Sequence, residues 1–240
     1  MVQIVTYLDT ARFIIGISIL AYASFTDIKT RRAPNILWLI LGGLGAVLLL
    51  SEFLLTSRVS EQAIYLLFIP VIIGLVYVFF QLRLIFGGAD AKAIMALAIL
   101  VPFEPSFYGH PLFHSPMPFS WVVFSNSIVI FLFVPLSLFM YNLIKRDIRF
   151  PHCFLGYRMS LKKAEEKFVW PLERIVDGHT RFSYVPHSFE ADDVYESFKK
   201  LGIKHIWVTP KVPFMIPLLF GFICSFLIGD FLFTIMYFLL

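Results

Sequence analysis

Two aspartates, Asp27 in "FTDIKTRR" and Asp90 in "FGGADAKAI", stand where an apolar run meets a polar edge. An ionised carboxylate is costly beside hydrocarbon, so ionisable residues at that position are functional candidates by default. Taken singly, each has a plain explanation. Asp27 reads as a solvated flank salt-bridged to "KTRR", and Asp90 as an N-cap after a glycine hinge, favoured there by the helix dipole. Taken together, at one depth on different helices, two carboxylates can approach closely enough to share a proton, the arrangement by which aspartic proteases activate water. Gly87 and Gly88 leave the backbone beside Asp90 bare, which gives a peptide room to lie against it. They are the expected substrate-binding positions.

The elements that must hold such a pair are membrane helices. Hydrophobic residues make up 59% of the 240 and charged residues only 15%, and the mean hydropathy is +0.81, far from a soluble average. Apolar runs counted against roughly 20 residues per crossing predict spans near 8–26, 34–55, 62–82, 89–102, 119–143 and 214–240. The fourth is short, is closed by Val101-Pro102 and leads into the Pro-rich "VPFEPSFYGHPLFHSPMPF". A run that short must tilt, thin the bilayer or pack inside the bundle. No removable signal peptide is expected, because no cleavage site and soluble body follow the first apolar segment.

Residues 145–209 differ in kind, with twelve Lys/Arg and nine Asp/Glu. "SLKKAEEKF" predicts a short amphipathic helix and "IKHIWVTP" a strand, so the expectation is a small α+β insert. The chain then divides into 1–144 with helices 1–5, the insert 145–209, and 210–240 with helix 6. Lys29, Arg31, Arg32, Arg83, Lys92 and the insert's basic residues fall on one side. Arg58 stands alone on the other, and 103–118 contains no Lys or Arg. The positive-inside bias therefore places the insert in the cytoplasm and both termini outside. The net charge of +4 reads as topology and contact with membrane lipid, not as nucleic-acid binding.

Other chemistry has little support. Cys153 and Cys224 lie in different regions, neither HExxH nor GxSxG occurs, and no four-ligand zinc spacing exists, so no metal is expected. His110 and His114 are four apart but separated by Pro111, with no third ligand nearby; His152, His179, His187 and His205 are scattered through the insert. Asp9 and Arg12 can pair one helical turn apart. Asp230 has no evident partner and reads as structural. The "LGGLG" at 41–45 reads as close helix packing. Glu190, Asp192 and Asp193 read first as a solvated acidic turn.

"DIKTRRAPN", residues 27–35, resembles the first-aspartate segment of type IV prepilin peptidases. "GGAD", residues 87–90, resembles their second motif in its archaeal form: glycine, any residue, a hydrophobic residue, aspartate. "EADD" and the tail "IWVTPKVPFMIPLLFGF" resemble the archaeal preflagellin peptidases of that GxGD-type family. The resemblance implies an α-helical polytopic membrane protein of six transmembrane helices with a small α+β cytoplasmic insert between helices 5 and 6. It implies an aspartyl endopeptidase that removes the short basic leader from preflagellin or pilin-like precursors without a cofactor, with Asp27 and Asp90 as the catalytic dyad and Gly87 and Gly88 as motif glycines. Ala89 stands where bacterial enzymes and presenilins usually have glycine, and the bacterial cysteine-rich zinc segment is missing. Glu190, Asp192 and Asp193 would complement the basic leader. The rival reading is a proton- or cation-coupled transporter using the same aspartates.

Overall fold

A computed structural model describes residues 2–82, 87–106, 108–167, 169–176, 178–183 and 191–239, with the side chains of residues 2 and 191–193 outside the description. Arg83, His187 and Glu190 therefore lie outside the described residues, as do the side chains of Asp192 and Asp193. The chain forms two compact units, Met1–Phe131 with Pro213–Leu240, and Leu132–Val212.

The first unit is helical: α1 Val2–Thr30, α2 Ile36–Leu55, the single turns α3 Arg58–Glu61 and α4 Ala63–Leu66, α5 Phe68–Gln81, α6 Gly88–Leu100 and α7 Phe119–Phe131. α1 ends where Arg31 turns into the left-handed region (φ 56°) and its N–H closes on the Asp27 carbonyl at 2.9 Å. Pro34 and Asn35 then open α2, with their carbonyls accepting from Leu37 and Trp38.

α6 is the centre of the unit and packs against α1, α2, α5 and α7. Its alanines let neighbours come close. Ala91, Ala93, Ala96 and Ala98 are buried with Ile94, Leu97 and Leu100, and join Leu20, Trp38, Leu41, Val76, Phe222 and Phe226 in one core. Gly45 of α2 faces the α6 backbone so tightly that an added Cβ would lie 2.6 Å from Leu100 Cα. The short fourth run is thus packed inside protein, and Pro102 follows shortly after its end, as a residue that cannot continue a helix.

Among the described residues four stretches are long and apolar enough to cross a membrane: Gln3–Thr30, Ile36–Leu55, Ala63–Gln81 and Phe119–Lys145. Only 22% of the most apolar window of Ile36–Leu55 is buried, and Leu39, Val47, Leu50, Phe53 and Leu54 are exposed. Left in water, each such side chain would forgo about 1.5–3 kcal/mol. Lipid is the solvent that resolves this, and the chain is a membrane protein.

The run expected as one span over 214–240 is two helices, α12 Met215–Leu227 and α13 Phe231–Leu239. The break is built by polar groups. Gly229 takes φ +107°, and Asn126 of α7 donates to the Gly229 carbonyl at 2.7 Å and accepts from Phe231 N–H at 3.0 Å. Asp230, read from sequence as lacking a partner, caps α13: its Oδ1 accepts from the N–H groups of Leu232 and Phe233, and its Oδ2 from the Ser115 hydroxyl.

The second unit contains α8 Phe133–Lys145, α9 His152–Leu155, β1 Tyr157–Ser160, α10 Leu161–Glu166, β2 Val169–Pro171, β3 Glu173–Val176, β4 His179–Phe182, α11 Ala191–Lys200 and β5 His205–Pro210. β5 lies between β1 and β2 in an antiparallel sheet, with Tyr157 opposite Val208 and Trp170 opposite Thr209. β3 and β4 form a hairpin. The amphipathic helix expected in "SLKKAEEKF" is α10 and the strand expected in "IKHIWVTP" is β5. Being central, β5 buries Ile206, Trp207 and Val208 in succession instead of alternating. α11 adds Tyr195 and Phe198, one turn apart, to the core over this sheet.

Candidate active site

Asp27 stands in the last turn of α1 and Asp90 in the first turn of α6, and these helices pack on each other. Both side chains are half-buried. The two carboxylates lie within electrostatic range of one another, and Arg31 lies within range of Asp27. Among the described residues, neither carboxylate accepts a hydrogen bond.

The glycines before Asp90 do different things. Gly87 is extended (φ −92°, ψ 111°), a conformation open to any residue, and its carbonyl accepts from Ala91 N–H at 3.1 Å to start α6. Asp90 folds back over it, so that a Cβ on Gly87 would overlap the Asp90 carboxylate. At Gly88, among the described residues, a Cβ would meet the Phe80 ring at 3.6 Å, an ordinary contact. Bare backbone at 87 therefore makes room for Asp90 itself, while a side chain at 88 would meet the described residues without overlap. Two residues further on, Lys92 donates to Asn35 Oδ1 at 2.9 Å.

The sequence matches the type IV leader peptidase family over residues 14–141, a segment that includes both aspartates, and the archaeal peptidase A24 C-terminus type II over residues 149–231. The chain belongs to the type IV leader peptidase family. Preflagellin peptidases from three archaea are similar over nearly full length. That of Methanocaldococcus jannaschii is 30% identical over 241 residues, covering 91% of this chain and 94% of the relative. Those of Methanococcus maripaludis and Methanococcus voltae are 29% and 25% identical, each covering 91% of this chain and 95% of the relative. The chain is accordingly a membrane hydrolase.

The first unit also holds a buried charged cluster, of which the Asp9–Arg12 pair is the part the sequence implies. The expected Asp9–Arg12 pair is present at 2.8 Å, and Arg12 also reaches Glu52 of α2 at 2.6 Å. Arg58 bridges Asp9 at 2.9 Å and Glu52 at 3.0 Å, and donates to the Glu104 carbonyl. Ser106 N–H bonds Asp9 at 2.7 Å. Two acids and two arginines are buried together without net charge. The available signal was a lone Glu52 inside an apolar run with Arg58 just beyond it.

His110 and His114 are directed to separate partners, the Leu227 carbonyl at 2.9 Å and Glu104 at 3.0 Å. Among the described residues no group of three or more His, Cys, Asp or Glu side chains is arranged to hold a metal. In the second unit, His152 is buried against Phe182 and Trp207, with its Nε2 3.8 Å from Glu173 Oε1. Burial, and then the Arg149 guanidinium, hold this imidazole below its ordinary range.

Proposed function

We propose that this chain is an aspartyl endopeptidase that removes the short basic leader of preflagellin, with Asp27 and Asp90 as its catalytic dyad. The observation that carries this reading is that the packing of α1 on α6 sets a carboxylate from the end of one and the start of the other within electrostatic range, without hydrogen-bond partners among the described residues. Two such groups resist being ionised together, which suits a division of labour in which one is ionised while the other carries a proton. The ionised member takes a proton from water as it attacks the scissile carbonyl. The protonated member hydrogen-bonds the carbonyl oxygen, stabilises the developing charge and then supplies the proton that the leaving amine needs. Gly88 offers backbone against which an extended peptide can lie, and Gly87 keeps the Asp90 carboxylate in place. Water is the only co-reactant this cycle consumes.

The proposed topology has six crossings. α6 and the α12–α13 pair are too short to span as single straight helices, and helices of that kind are tolerated at membrane depth where protein surrounds them. The Lys/Arg bias puts both termini outside and residues 145–209 in the cytoplasm, between membrane segments 1–144 and 210–240. Both aspartates then lie at the cytoplasmic face. A precursor whose basic leader stays at that face, with its apolar helix in the bilayer, brings the bond between them to this level. A transporter would need further ionisable groups between the two faces, but the other buried acids of α1 and α2 are engaged by Arg12 and Arg58.

The test is co-expression with preflagellin and measurement of leader removal. Asp27→Asn and Asp90→Asn should each abolish cleavage, by several orders of magnitude for groups acting as a unit, while the protein stays folded. Near-wild-type cleavage by either purified variant rejects the dyad.

A further inference from the structure

The Lys92–Asn35 hydrogen bond joins the two segments that carry the aspartates. Asn35 lies in the connection between α1 and α2, eight residues beyond Asp27, and Lys92 lies two residues beyond Asp90 on α6. Residues two apart on a helix project about 200° from each other. The Asp90 carboxylate accordingly folds back over Gly87, while the Lys92 ammonium reaches Asn35 Oδ1 at 2.9 Å. This is a direct side-chain hydrogen bond between residues 27–35 and residues 87–92. Both residues are exposed, and a bond between exposed groups adds little to global stability. Its position matters more. Asp27 is in the final turn of one helix and Asp90 in the first turn of another, the places where helices fray, and the fully buried packing of α6 begins only at Ala91.

We infer that Lys92 is a positioning residue that acts through Asn35 to set the separation of Asp27 and Asp90. This rests on the dyad reading above. A lysine that merely kept its ammonium in water at the membrane edge would also sit here, but it would be indifferent to residue 35.

The test uses the purified full-length protein and a preflagellin precursor. Lys92→Met and Asn35→Ala should each lower kcat by about three- to tenfold, with KM and melting temperature nearly unchanged. The double variant should be no worse than the poorer single one, and the exchange Asn35→Lys with Lys92→Asn, which rebuilds the bond with donor and acceptor reversed, should restore cleavage. A second arm does not depend on activity. With Cys153 and Cys224 replaced by serine, cysteines at positions 27 and 90 are joined by a short bifunctional thiol reagent, and Lys92→Met should slow the cross-link. Losses that multiply in the double variant, an exchange that fails to restore cleavage, or an unchanged cross-linking rate overturns the inference. If Asp27→Asn or Asp90→Asn cleaves normally, the dyad itself falls, while the cross-linking arm still reports whether Lys92 sets the separation.

Discussion

Gly87→Ala is the substitution at which activity and stability should part most clearly. The backbone at Gly87 is at φ −92°, ψ 111°, where alanine carries no strain, and exchanging glycine for alanine at a compatible site stabilises a fold by about 0.4–1 kcal/mol through the unfolded chain. The added methyl, however, occupies the place of the Asp90 carboxylate. That side chain must turn to another staggered rotamer, which moves its carboxyl carbon by about 2.5 Å. A misplacement of even about 1 Å at a reacting group can cost about 100-fold. The expected result is a loss of cleavage of at least about 100-fold, with a melting temperature in detergent equal to or above that of the wild type. Gly43→Ala in α2 is the control: among the described residues an added Cβ there meets nothing within 4 Å, so cleavage should stay within about threefold, a small effect on the scale of one lost hydrogen bond. Leader removal from preflagellin, followed by gel shift beside a thermal melt of the same preparation, reads both quantities. Full activity in Gly87→Ala would show that Asp90 does not work from the position it holds here, and equal damage from Gly43→Ala would show that the loss is not specific to the Asp90 carboxylate.

Three further outcomes are expected. Arg12→Met leaves Arg58 alone to answer both Asp9 and Glu52, so one buried carboxylate charge is uncompensated and the protein should be destabilised by about 3–5 kcal/mol; a melting temperature within error of wild type would show that the cluster is not buried as described. His152 is held neutral by the fold while the unfolded chain titrates near 6.5, so below that pH the unfolded state binds a proton the folded state resists, and stability falls as pH drops through that range. The pH dependence of melting should therefore be shallower in His152→Gln, and equal slopes would refute this. Lys163→Cys, in the exposed part of α10, should be labelled by a membrane-impermeant thiol reagent only after cells are opened; labelling of intact cells would invert the topology.

What the sequence made legible was whatever depends on one segment at a time. The Asp27 and Asp90 segments, the apolar runs, α10 and β5 each announce themselves within about ten residues, because turn chemistry and periodicity are local. What it hid depends on register between segments. Glu52 and Arg58 look like one stray charge and one loop charge until α1 and α2 are set side by side. The division of 214–240 is written as much in Asn126, about a hundred residues upstream, as in Gly229, and an apolar run with a single aspartate gives no local reason to break. The difference between Gly87 and Gly88 lies in the direction of one side chain, which two adjacent glycines cannot reveal.

The two ends of α1 show why the same kind of residue carries different weight in different places. Asp9 and Asp27 are eighteen residues apart on one helix, about 27 Å, close to the thickness of the hydrocarbon core. At the first, a buried acid is answered by two guanidiniums and a backbone N–H, and its charge is spent on joining α1 to its neighbours. At the second, Asp27 meets another carboxylate, and neither has a hydrogen bond among the described residues to hold it ionised. A fold that can satisfy an aspartate as fully as it satisfies Asp9 leaves Asp27 and Asp90 without such partners, and on the proposed dyad reading that leaves both free to exchange protons with water and a peptide substrate.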